Sequence, residues 1–195
     1  MFRIILSLLI FITPKAFAFE TAPANNFKLQ INTGFTHETL KSKGSTSITE
    51  KTKGFNQLEV RPQVTYYFNK TIAAGAYYFQ KSLLADFNSS GIGAFFRYYF
   101  STQNTALKYT LDNKIISETP TWAPYVQIGA KKETLEAETV SISFTGIDLS
   151  VGVDWHWTND YFFNFSANMT SQVSGSSRTL SSQSFLIGFG KALSF

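Results

Sequence analysis

The chain has no cysteine, which excludes a disulfide framework and any thiolate metal site. It has two histidines, too few on their own to build a zinc centre. After residue 18 no apolar run approaches the ~18 residues expected of a membrane-spanning helix. Charge of one sign is scarce as well. The net charge is +4, falling to +2 once Arg3 and Lys15 are set aside, and no basic run favours nucleic acid. The glycines fall singly, in no phosphate-cradling pattern, and suit close packing inside strands.

What is present begins with "MFRIILSLLIFITPKAFAFE". Arg3 precedes an apolar run from Ile4 to Ile12, Pro14 breaks it, and Ala16-Phe17-Ala18 gives the small-x-small pattern of a processing site. Residues 1–18 therefore read as a secretory signal peptide cleaved after Ala18. The run is only about half the ~20 residues that a membrane anchor needs. Residues 19–195 then form one domain.

That domain is rich in Phe, Tyr, Gly, Ser and Thr, the residues of strands and turns. Alternation of apolar and polar residues runs through it. "FKLQINTGF" sets Phe27, Leu29, Ile31 and Phe35 against Lys28, Gln30 and Asn32. "LEVRPQVTYYF", "GIGAFFRYYF", "GIDLSVGVDWHW", "YFFNFSANM" and the closing "SFLIGFGKALSF" behave in the same way. "TIAAGAYYFQK" and "WAPYVQIGAKK" have the length of strands, though their facing is unclear. The pattern predicts eight strands. "LKYTLDNKII", in the long connection over 101–121, predicts a small extra hairpin turning at Asp112-Asn113.

The connections alternate. "NKT" and "TND" are tight turns, whereas "HETLKSKGSTSITEKTKG", "KSLLADFNSS", "KKETLEAETVSIS" and "SQVSGSSRTLSS" read as long polar loops on the opposite rim. Short turns on one rim and long loops on the other are the layout of an outer-membrane barrel. Alternation alone does not say which face points inward, and a soluble ligand-binding barrel would bury the apolar set. Three features favour the inverted arrangement. Eight strands enclose a space just wide enough for side chains to fill, which repeated Phe and Trp would overfill and Gly, Ser, Asn and Thr would not. Tyr66, Phe68, Tyr98, Phe100, Trp155, Trp157 and Tyr161 gather at one rim, as in an interfacial girdle. An even strand count also returns Phe195 to that rim. Because backbone groups in lipid must all be paired, the sheet has to close.

The signal peptide, "GIGAFFRYYF" and the terminal aromatic resemble the small outer-membrane β-barrel group, the OmpA/OmpX-like proteins of Gram-negative bacteria. The resemblance implies an eight-stranded antiparallel up-and-down transmembrane barrel. It also implies that Phe195 is part of the signal read by the barrel-assembly machinery. Lys191 departs from the apolar spacing and is expected to snorkel to the headgroups.

The polar face carries Glu59, Arg61 and Asp148 nearer the outer rim, with Arg97 and Asp154 nearer the periplasmic rim. Buried charges need partners, so these five are expected to form a polar network that plugs the lumen. The alternative is a narrow small-solute channel of the OmpW-like type. His156 with Ser150 on one strand, or His37 beside Glu38, does not assemble a nucleophile, base and orienting group, so no enzyme is expected. A lipid A-modifying enzyme and a soluble periplasmic barrel stand behind these. No cofactor is expected, and the protein is expected to be a monomer. Lys41, Lys43, Lys51 and Lys53 crowd the first long loop and are candidates for contact with lipopolysaccharide phosphates.

Overall fold

The computed structural model describes residues 27–42, 51–69, 71–82, 87–100, 108–111, 114–117, 121–137, 140–156, 161–175 and 178–193. The signal peptide, Lys43 and Phe195 lie outside them. Among the described residues there are ten strands: β1 (Phe27–Ser42), β2 (Lys51–Tyr67), β3 (Ile72–Ser82), β4 (Phe87–Tyr99), β5 (Lys108–Leu111), β6 (Lys114–Ser117), β7 (Thr121–Ala137), β8 (Val140–His156), β9 (Tyr161–Gly175) and β10 (Arg178–Leu193). Eight close into an antiparallel barrel in the order β1-β10-β9-β8-β7-β4-β3-β2. β5 and β6 form a separate hairpin, with Leu111 paired to Lys114. Closure runs the full length of the seam, from Phe27 opposite Leu193 to Ser42 opposite Arg178. No backbone edge is left at membrane height along that seam, which is what hydrocarbon demands.

The local reasons are plain at the β2–β3 turn. Asn69 Oδ1 accepts from the backbone N–H of Thr71 (2.8 Å) and Ile72 (2.7 Å), while Phe68 N–H donates to Ile72 O at 3.0 Å. An Asx turn thus reverses the chain in three residues.

The apolar face points outward. Ile31 is 62% exposed, Phe35 72%, Phe96 63% and Ile187 57%. On β1 the outward apolar set runs from Phe27 to Phe35, and on β10 from Phe185 to Leu193. Each set covers about the 9–11 residues a strand needs to cross a bilayer. Beyond them the outward positions turn polar together: His37, Asn56, Gln80, Lys132, Thr145 and Gln183. At the opposite rim the rings touch. Trp122 stacks on Trp155 (5.6 Å) and Trp155 on Phe163 (5.6 Å). Lys191 faces outward, and its ammonium lies 5.6 Å from the Tyr161 ring centre. Among the described residues no helix is long and apolar enough to cross a membrane.

Two expectations are corrected. The first concerns loops. β1, β2, β7 and β8 are 16 or 17 residues long, so the walls rise well past the apolar band. Lys41, Lys51 and Lys53, read as loop residues, stand on strand backbone: Lys41 pairs with Thr52, Lys51 with Ser42 and Lys53 with Leu40. His37, read as the start of a loop, likewise stands in β1, where its Nδ1 lies 2.8 Å from Asn56 Oδ1. Ladder pairing above the membrane needs no apolar alternation on the outside, so polarity was a poor marker of strand ends.

The second correction concerns volume. The lumen takes large rings after all: Tyr67, Tyr77, Phe79, Phe95, Tyr99, Tyr125 and Phe162 are all buried inside. Space comes from glycines placed directly across the ladder. Gly93 faces Tyr77, Gly91 faces Phe79, Gly75 faces Phe95, Gly152 faces Tyr125 and Gly190 faces Phe162. At each of these five a Cβ would come closer than 3.0 Å to the opposing ring. Gly93 is the cleanest case, because its three nearest atoms all belong to Tyr77. Gly93→Ala is expected to cost about 1–3 kcal/mol by overpacking. The cost should shrink sharply in a Tyr77→Leu background, read from urea midpoints of the folded barrel in detergent. An equal cost in both backgrounds would remove the ring from the explanation.

Candidate functional site: the charged lumen

Period two places residues i and i+2 of a strand on one face, close enough for long side chains to meet. Glu59 and Arg61 on β2, and Lys131 and Glu133 on β7, are such pairs. Inside the barrel this local pairing is joined across strands. Among the described residues the buried charged set is Lys28, Arg61, Lys81, Arg97 and Lys131 against Glu38, Glu59, Glu133, Asp148 and Asp154. Cations and carboxylates are equal in number, which is the condition for holding many charges away from water.

The upper network lies toward the long-loop rim. Arg61 grips Glu59 with Nε and a terminal nitrogen, both at 2.6 Å. Glu59 also accepts from Thr36 (2.6 Å), and the Arg61 guanidinium lies 4.6 Å from the Tyr77 ring centre. Tyr77 donates in turn to Asp148, which also accepts from Thr170. Lys131 sits 4.0 Å from Asp148 and 3.0 Å from Glu133. Lys81, wholly buried, bridges Glu38 and Glu133, the latter at 2.7 Å. Above this ionic layer Leu135, Phe144 and Leu180 form an apolar cap, with Ile142 packed against it. A cavity of about 10 Å³ between Lys131, Glu133, Thr170 and Gln172 lies beneath the cap, room for about one water.

The lower network lies toward the short-turn rim. Asp154 accepts from Lys28 (3.1 Å), Tyr99 (2.8 Å) and Asn164 (2.7 Å), and Arg97 lies 3.7 Å away. Arg97 also donates twice to Gln127 (3.0 and 2.9 Å), and its guanidinium rests 3.8 Å from the Tyr125 ring centre.

Of the five charges singled out in the sequence, the structure places Glu59, Arg61 and Asp148 in the upper network and Arg97 and Asp154 in the lower. Sequence reading missed Glu38 and Glu133, which it assigned to loops, and Lys81, which it left at the junction of a strand and a loop, and it gave no role to Lys28. The continuing alternation Tyr77, Phe79, Lys81 and the spacing Lys131-x-Glu133 were the available signals. His156 lies 3.1 Å from Lys28 and stacks on Phe162, while Ser150 donates to Asn168 at 2.6 Å. Among the described residues no three acidic or histidine side chains gather to hold a metal.

A closed wall of eight strands, greasy outside and ionic inside, is the fold of the small transmembrane β-barrels of the bacterial outer membrane. The chain is similar to several solved structures. Neisserial surface protein A is 14% identical, with a TM-score of 0.63 over 89% of this chain and all of that one. The outer membrane protein OprG from Pseudomonas aeruginosa is 14% identical, with a TM-score of 0.55 over 88% of this chain and 98% of its own. The outer membrane protease OmpT from Escherichia coli is 7% identical, with a TM-score of 0.50 over 91% of this chain and all of its own. No family model and no curated relative matches the sequence.

Proposed function

We propose that the protein is an integral outer-membrane barrel with a structural or surface-interaction role and a lumen sealed by its own charges. The observation that carries this is the balanced ionic set across the bore, in which Lys81 spans from Glu38 to Glu133 and Lys28 and Arg97 converge on Asp154. Each cation is held by a carboxylate or an aromatic face, so opening a path would expose several unpaired buried charges at once. An eight-stranded bore has little radius to spare for a solute beside them. The reading assigns the protein no reaction, takes it as a monomer and takes residues 1–18 as its export signal. It also takes Phe195 as part of the signal for the assembly machinery. Surface contact would come from the long-loop end of the barrel, where the phosphates of lipopolysaccharide are the matching chemistry for the lysines of residues 41–53.

Reconstitution into planar bilayers tests the seal. The wild-type protein is expected to give no stable open-channel current at moderate voltage. Stable, uniform current steps would replace the sealed barrel by the narrow small-solute channel.

A further inference from the structure

The lower end of the lumen contains a cation site that is already filled. Lys28 is the second residue of β1, and its ammonium has three protons to place. One goes to Asp154 Oδ2 at 3.1 Å. A second points to His156 Nε2 at 3.1 Å, and because an ammonium only donates, the imidazole must accept there and carry its own proton on Nδ1. The third side is closed by the face of Phe162, whose ring centre is 4.4 Å from Nζ, with Tyr67 at 5.1 Å completing the wall. The cage is held by neighbours other than Lys28. Tyr67 and Tyr99 share a hydroxyl contact at 2.7 Å, Tyr99 donates to Asp154 at 2.8 Å, and Asn164 donates to the other Asp154 oxygen at 2.7 Å. Carboxylate, imidazole nitrogen and aromatic face are together the chemistry that recognises an ammonium.

We propose that the short-turn mouth of the barrel is a binding site for primary alkylammonium ions, and that the Lys28 side chain is its tethered resident ligand. Selectivity follows from the donors. A primary ammonium satisfies the carboxylate, the imidazole and the ring together, a trimethylated one has no N–H for the first two, and a neutral alcohol brings no charge. The proposal does not depend on whether the lumen conducts, because it is read as binding rather than as current.

Lys28→Ala in the full-length protein removes three methylenes and the ammonium, which is the shape of n-propylammonium. In detergent micelles the variant should unfold at a lower temperature than wild type. Saturating n-propylammonium chloride should raise its midpoint by about 4–8 °C over matched sodium chloride. The same salt should leave wild type and Lys28→Met unchanged, since a side chain fills the cage in both. Propan-1-ol and N,N,N-trimethylpropylammonium should fail. Adding Asp154→Asn to Lys28→Ala should abolish the response. If Lys28→Ala does not fold by itself, its refolding yield from urea with and without n-propylammonium is the reading. No saturable gain in midpoint or yield, or an equal gain in wild type, overturns the site.

Discussion

Lys81→Met is expected to destabilise the folded barrel by about 3–5 kcal/mol, the scale for stranding a buried charge. Lys81 is wholly buried on β3 and lies between Glu38 of β1 and Glu133 of β7, with its ammonium 5.0 Å from the Phe79 ring centre. Methionine keeps the stem and removes the charge, so packing changes little and the loss is electrostatic. The two carboxylates do not suffer equally. Glu133 retains Lys131 at 3.0 Å and a hydrogen bond from Ser89, whereas Glu38 keeps the neutral amide of Gln57 at 3.1 Å. Adding Glu38→Gln should therefore recover more stability than adding Glu133→Gln. The second change would also leave Lys131 with Asp148, at 4.0 Å, as its remaining carboxylate, beside the Ser182 hydroxyl at 3.4 Å. Urea titration of protein folded into lipid vesicles, followed by the heat-dependent gel shift, measures all four proteins. A loss below about 1 kcal/mol for Lys81→Met would mean that water reaches these charges and that the upper lumen is not sealed.

Much of this architecture was legible in the sequence because a half-buried strand writes its two environments on alternate residues. The eight barrel strands, the extra hairpin and the outward direction of Phe35, Ile187 and Phe96 could be read from that code. It weakens wherever both environments are alike. Past the apolar band the outside of the wall is water, so His37 and Thr39 give no contrast with the polar interior, and the upper halves of β1, β2 and β7 look like loops. On β3 the code is blurred by size. Ala73 and Gly75 face in while Ala74 and Ala76 face out, and only the pairing of Gly75 with Phe95 shows which is which. The charged lumen was half visible for the same reasons. Glu59 and Arg61 stand in a clearly alternating stretch, but Lys81 and Glu133 stand above it. Their partnership also spans strands far apart in sequence, which no local spacing encodes. The ring–glycine pairs are a third kind of information. Each is two unremarkable residues until the ladder register sets one across from the other.

Ile31→Arg is expected to cost about 2–4 kcal/mol, because Ile31 stands at the middle of the lipid-facing band. It is 62% exposed, and its cross-strand partners are Phe189 on β10 and Pro62 on β2. Phe189 is itself the central residue of the outward set Phe185–Leu193, so the pair marks the bilayer midplane. In a soluble barrel an exposed Ile→Arg would be nearly neutral, since water hydrates the guanidinium at no cost. In lipid the same charge must snorkel or draw headgroups inward. The matched control is His37→Arg, three outward positions higher on the same strand, where Asn56 and Gln183 are the neighbours. There the cost should fall to about 0–1 kcal/mol, the value near an interface. Folding free energies in vesicles of one lipid composition, measured by tryptophan fluorescence against urea, give both numbers. The difference between them, rather than either alone, reports the depth of Ile31. Equal and small costs at the two positions would place the apolar face in water and turn the barrel inside out.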